Sequence, residues 1–172
     1  MLKRNQELWY ALAAIVVVTA IYEVVVVRSG ALPPAGQLFG HAIGVLGSVL
    51  MLMTEILYSL RKRATSARWG PTASWLKFHM VTGLVGPYMV LLHPAMEFRG
   101  LAGAVSLLTA VVVLSGLVGR YIYTAVPRSI EGAEARRMLA VWRSIHVPMA
   151  LVLFVMAFVH AGGAIYYATL LR

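Results

Sequence analysis

An all-α integral membrane protein is the fold class this sequence predicts: a five-transmembrane-helix bundle, with the N-terminus cytoplasmic and the C-terminus outside. Three observations predict it. The 172 residues are 60% hydrophobic and 12% charged, with a mean hydropathy of +0.81, too apolar for a soluble domain of this size. Five apolar runs, Leu8 to Val27, Leu38 to Leu60, Leu76 to Leu92, Leu101 to Ile122 and Ile145 to Leu170, can each cross roughly 30 Å of hydrocarbon as a helix. The 15 basic residues are divided twelve to three between the two sides. Lys3, Arg4, Arg61, Lys62, Arg63, Arg68, Lys77, Arg120, Arg128, Arg136, Arg137 and Arg143 fall on one side, and Arg28, Arg99 and Arg172 on the other. The positive-inside rule places the first set in the cytoplasm.

The spans are expected near residues 8–27, 38–60, 75–96, 101–123 and 144–170, within a single membrane domain of residues 1–172. Lys3 and Arg4 before the first run resemble a signal peptide. That run is longer than the ~7–15 residues of a signal core, and no convincing small-x-small cleavage site follows, so an uncleaved helix is expected. Glu23 and Glu55 inside the first two runs read as buried polar points, and Gly86-Pro87 in the third as a kink. Aromatic residues mark the boundaries, with Trp9, Tyr58, Trp75, Tyr121 and Trp142 inside and Tyr22, Phe98, Tyr166 and Tyr167 outside. Between spans two and three lies a basic loop with a Gly70-Pro71 breaker. Between spans four and five, Glu131, Glu134, Arg136 and Arg137 are spaced for a short amphipathic helix on the membrane surface.

Several function classes drop out. The net charge of +9 is confined to short loops, which leaves no basic domain for nucleic acid and a general attraction to anionic lipid. Zero cysteines exclude disulfides, thiolate metal sites, iron–sulfur ligation and covalent c-type haem attachment. No GxGxxG or Walker motif occurs, and neither cytoplasmic loop is long enough for a flavin or nucleotide domain.

What remains is carried by histidine. Four of the five form two pairs of equal spacing, His79 with His93 and His146 with His160, each in its own apolar segment. Fourteen residues on an α-helix rise about 21 Å and fall about 40° short of four turns, so both rings of a pair face one way at two depths. Slight supercoiling removes most of that drift, since fourteen residues are two heptads. An imidazole in hydrocarbon needs a partner or a cavity. One such residue alone reads as an interhelical hydrogen bond; two matched pairs call for a common explanation. The third and fifth spans both run outward, which levels His79 with His146 on the inner side and His93 with His160 on the outer. Two ligands per iron suit a porphyrin, which brings four nitrogens of its own, and suit zinc or copper poorly. Two bis-histidyl haems are therefore expected.

Other residues are assigned by position. Arg120, amid apolar and aromatic neighbours, is the first candidate to pair with a haem propionate, ahead of Lys77, Arg143 and Arg99. Gly44, Gly47, Gly83, Gly86, Gly103, Gly116 and Gly119 suit either the approach of a flat macrocycle or close helix packing. Pro87 and Pro148 free the carbonyls of Gly83 and Ser144. His41, Glu23 and Glu97 gather at the outer end as a candidate quinone site, where quinol oxidation needs proton acceptors. Glu55 with Ser59 is a weaker candidate at the inner end.

With Lys77-Phe78-His79, His93-Pro94, Ser144-Ile145-His146 and His160 in place, residues 38 to 168 resemble the cytochrome b subunits of quinol:cytochrome c oxidoreductases and the ferric reductase and NADPH oxidase membrane domain. The likeness is architectural, and it implies a four-helix haem-binding core over residues 38–168 with two haems b, ligated by two histidines on each of two helices with 13 or 14 residues between them. In the ferric reductase group a sixth span leads to a flavin and NAD(P)H domain. Five spans here lead to the expectation of no direct NAD(P)H oxidation.

The expected function is transmembrane electron transfer between the quinone pool and an outer-face partner, a c-type cytochrome or another redox subunit of a larger complex, in a bacterial inner membrane. A small ferric- or oxygen-reducing terminal reductase subunit fed by a separate dehydrogenase is the alternative, and a haem-free scaffold or transporter fragment a third.

Overall fold

In lipid every backbone N–H and C=O must find its partner within the segment, so apolar runs of this length become helices. The computed structural model describes residues 5–63, 70–94, 98–125 and 132–170. It contains α1 (Gln6–Ser29), α2 (Leu38–Arg63), α3 (Thr72–Leu92), α4 (Gly100–Ala125) and α5 (Gly132–Leu170), and no strand among the described residues. All five helices are long and apolar enough to cross a membrane. The protein is all-helical, and its make-up is that of an integral membrane protein. Val16 and Val17 of α1, Leu46 of α2, Leu114 of α4 and Phe158 of α5 are exposed on the outer faces, as lipid contact requires.

The chain packs as two units, Met1–Glu97 with α1 to α3 and Phe98–Arg172 with α4 and α5. In the first, α3 packs against both α1 and α2. Ala11 and Tyr22 of α1, Ile43 of α2, and Val85, Met89 and Leu92 of α3 form its core. Helices α2 and α3 meet through glycine. A Cβ on Gly47 would lie 2.7 Å from the Gly86 carbonyl oxygen, and one on Gly86 would lie 2.9 Å from that of Gly47. Only two glycines let the backbones come this close. Further along the same interface the buried hydroxyls of Thr54 and Thr82 bond at 2.6 Å. Helix α1 is tied to α3 by the hydroxyls of Thr19 and Tyr88, also 2.6 Å apart. It is thus part of the core of its unit, although the sequence places the functional core downstream of it. Its end is fixed by Gly30 at φ 69°, whose N–H donates to the Val26 carbonyl.

In the second unit Val105, Ser106 and Thr109 of α4 and Ala150 and Leu153 of α5 are buried. Thr109 is fully enclosed and donates its hydroxyl to the Val105 carbonyl of its own helix at 2.8 Å. Its polarity is thereby satisfied without a partner helix.

Two boundaries differ from the sequence expectation. Helix α3 ends at Leu92, with His93 as its C-cap still in helical geometry (φ −55°, ψ −45°), because Pro94 has no N–H with which to continue the ladder. The expected end at residue 96 lies outside the described residues. Helix α5 begins at Gly132, twelve residues before the expected start, and runs without a break for 39 residues. The amphipathic stretch expected on the membrane surface is therefore the first three turns of α5 itself, at least from Gly132. At 1.5 Å per residue α5 is about 58 Å long, against about 30 Å of hydrocarbon, so it extends well beyond one span. Pro87 and Pro148 lie inside α3 and α5, as the sequence implies.

Candidate functional site

His93 is set at the end of α3 by contacts with the start of α2. Its Nδ1 lies 2.7 Å from the Gly40 carbonyl oxygen. A carbonyl only accepts, so Nδ1 carries the proton, and in the neutral ring Nε2 keeps its lone pair. The ring is seated on Gly44, where a Cβ would be 2.6 Å from Nδ1 and 2.7 Å from Cγ. Gly40 is itself pressed against the Pro34 carbonyl, so a side chain there would displace the acceptor. His41, one residue on, is exposed and meets His93 edge-on, with ring centroids 6.4 Å apart.

His79, four turns earlier on α3, repeats the arrangement. Its Nδ1 lies 3.2 Å from the Thr54 carbonyl oxygen of α2, which fixes the same tautomer. Tyr58, one turn beyond Thr54, packs on the ring at 5.0 Å. Thr54 is in turn held by its hydroxyl contact with Thr82, one turn from His79 on α3. Acceptor and ring are thus tied through the same pair of helices.

In the second unit His146 is held by side chains instead. Its Nδ1 lies 2.5 Å from the Ser115 hydroxyl of α4. Trp142, one turn earlier on α5, stacks on the imidazole with centroids 4.8 Å apart and planes 22° from parallel. The indole Nε1–H donates to the Ser115 carbonyl at 2.7 Å, so one α4 residue anchors both rings. Gly119 makes this possible, because a Cβ there would occupy the indole ring. Gly116 lies against His146, with a built Cβ 3.6 Å from Cε1. Arg120, the expected propionate partner, is half-buried on α4 next to Gly119. His160 is half-buried on α5, fourteen residues from His146.

Gly47 and Gly86 serve helix packing, one of the two uses foreseen, while Gly44 and Gly119 seat the protein's own His93 and Trp142 rings, a use the sequence did not suggest. The residues expected to gather at the outer end are His41, Glu23 and Glu97. His41 comes up to His93, Glu23 is exposed on α1 beside the buried Tyr22, and Glu97 lies outside the described residues. At the opposite end the Ser59 hydroxyl approaches the Glu55 carboxylate at 3.4 Å.

The sequence reading missed Gly40, Thr54, Ser115 and Trp142 as partners of the histidines. Trp142 was readable, being four residues before His146 and so on the same helical face. The other three were not, since two act through the main chain. Comparison with family models, curated proteins and solved structures yields no match.

Proposed function

We propose that this chain is a dihaem b-type membrane cytochrome that conducts electrons across the bilayer between the quinone pool and a redox partner at the outer face. One observation carries the reading. For both His79 and His93 a main-chain carbonyl accepts a hydrogen bond from Nδ1–H, which leaves Nε2 as a neutral donor atom of the kind an axial iron ligand requires. A bare interhelical hydrogen bond needs no such repetition at a spacing of fourteen residues. Haem, when bound, supplies a one-electron ferric/ferrous couple.

The chain's own part is ligation, orientation and exclusion of water. Thr54 and Gly40 hold the rings of His79 and His93 in one tautomer, and Ser115 with Trp142 holds that of His146. The pairing of His79 with His146 and of His93 with His160 rests on the sequence, in which the third and fifth spans have the same direction. So does the orientation with the N-terminus cytoplasmic and the C-terminus outside. Arg120 is the proposed propionate partner. His41, with Glu23 and Glu97, is the proposed proton-accepting group for quinol at the outer end, where His41 lies edge-on to His93. The proposed partner is a c-type cytochrome or another redox subunit, in a bacterial inner membrane.

Reduced-minus-oxidised spectra and iron analysis of the purified chain test this reading. Two low-spin haems b per chain are expected, with one lost in His93→Ala. A full-length, folded protein with no haem and no haem uptake refutes it.

A further inference from the structure

We infer that the α4–α5 unit carries a binding site for a phosphoethanolamine lipid. A groove of about 520 Å³ opens sideways between the end of α4 and the start of α5. Its walls are Val118 and Ile122 of α4 and Val141, Trp142 and Ile145 of α5, and its polar rim carries Glu134 and Arg137. The extension of α5 beyond one span creates this rim. Had the helix begun at residue 144, both charged groups would lie outside the groove.

Charge complementarity selects the occupant. The walls suit an acyl chain, and Val118, Val141 and Ile145 are each more than half exposed in the protein alone. Glu134 and Arg137 are three residues apart on one helical face, so the rim presents an anion and a cation side by side. A phosphoethanolamine headgroup has the mirror arrangement. Its phosphate takes the guanidinium fork of Arg137, and its primary ammonium donates to the Glu134 carboxylate. Phosphatidylcholine has the same phosphate but no N–H to donate, and phosphatidylglycerol brings an anion with nothing to neutralise Glu134. Trp142 in the wall of the groove is also the residue stacked on His146. The inference stands whether or not the chain carries haem.

Native mass spectrometry of the full chain, titrated in detergent with dioleoyl phosphatidylethanolamine, phosphatidylcholine and phosphatidylglycerol, tests it. A single charge-assisted hydrogen bond predicts roughly tenfold tighter binding of phosphatidylethanolamine than of phosphatidylcholine. Glu134→Gln should bring the two to near parity, Arg137→Gln should weaken both, and Val118→Trp, which fills the groove, should weaken all three lipids. Equal binding of phosphatidylethanolamine and phosphatidylcholine by the wild-type chain overturns the assignment. So does a preference for phosphatidylglycerol, or unchanged phosphatidylethanolamine binding in both rim variants when circular dichroism shows them folded. The wild-type comparison decides the matter should a variant fail to fold.

Discussion

Replacing Gly44 with alanine places one methyl group against the face of His93, and the structure sets the size of the effect. The new Cβ would lie 2.6 Å from Nδ1, 2.7 Å from Cγ and 3.1 Å from Cε1. Carbon and nitrogen in contact need about 3.5 Å, so the imidazole must retreat by about 0.9 Å. Its hydrogen bond to the Gly40 carbonyl is 2.7 Å long and does not survive such a move. Loss of the bond costs about 1 kcal/mol and overpacking about 1–3 kcal/mol, which together give a destabilisation of about 2–4 kcal/mol. Reversible unfolding in mixed micelles measures it, with two controls. Gly36→Ala meets nothing within 4 Å and should change stability by less than about 0.5 kcal/mol. Gly162→Ala, in open space within α5, should stabilise by about 0.5–1 kcal/mol through backbone entropy. On the proposed dihaem reading, Gly44→Ala should also perturb one of two low-spin centres and leave the other unchanged. Indistinguishable behaviour of the Gly44 and Gly36 variants would refute the seat assigned to His93.

Three further perturbations separate the contributions of other groups. Thr54→Val and Thr82→Val should each destabilise by about 0.5–1.5 kcal/mol and, because they share one hydrogen bond, should be less than additive in a double-mutant cycle; strict additivity would show that the 2.6 Å contact adds nothing. Ser115→Ala removes the hydroxyl from His146 Nδ1 but leaves the carbonyl that receives the Trp142 indole, so helix content should hold and, on the proposed dihaem reading, haem retention should fall by about 10–100-fold, as judged by equilibrium dialysis. Tyr22→Phe deletes a buried hydroxyl that has no hydrogen-bond partner among the described residues, and the variant should be at least as stable as the parent, by up to about 1 kcal/mol in thermal unfolding; a loss above 1 kcal/mol would reveal a partner.

How much was legible beforehand depends on whether a property is local. Leu8 to Val27 reads as a span because a run of twenty residues interrupted only by Thr19 and Glu23 has no other stable disposition in lipid, whatever its neighbours. The registration of His79 with His93 and of His146 with His160 follows from helix geometry alone. The start of α5 at Gly132 did not read cleanly, because Arg136, Arg137 and Arg143 suit a surface segment and a protruding helix equally well.

The sequence by itself determined that five apolar helices form and that two of them each hold paired imidazoles at two depths, since both follow from residue type and helical pitch. Only the tertiary structure decided that the Gly40 and Thr54 carbonyls accept the Nδ1–H hydrogen bonds, that Gly44 and Gly119 seat rings, and that Ser115 anchors both Trp142 and His146. Those roles depend on the rotation of one helix against its neighbour. A main-chain carbonyl is the same group in every residue, and a missing side chain counts only when something fills the space it leaves.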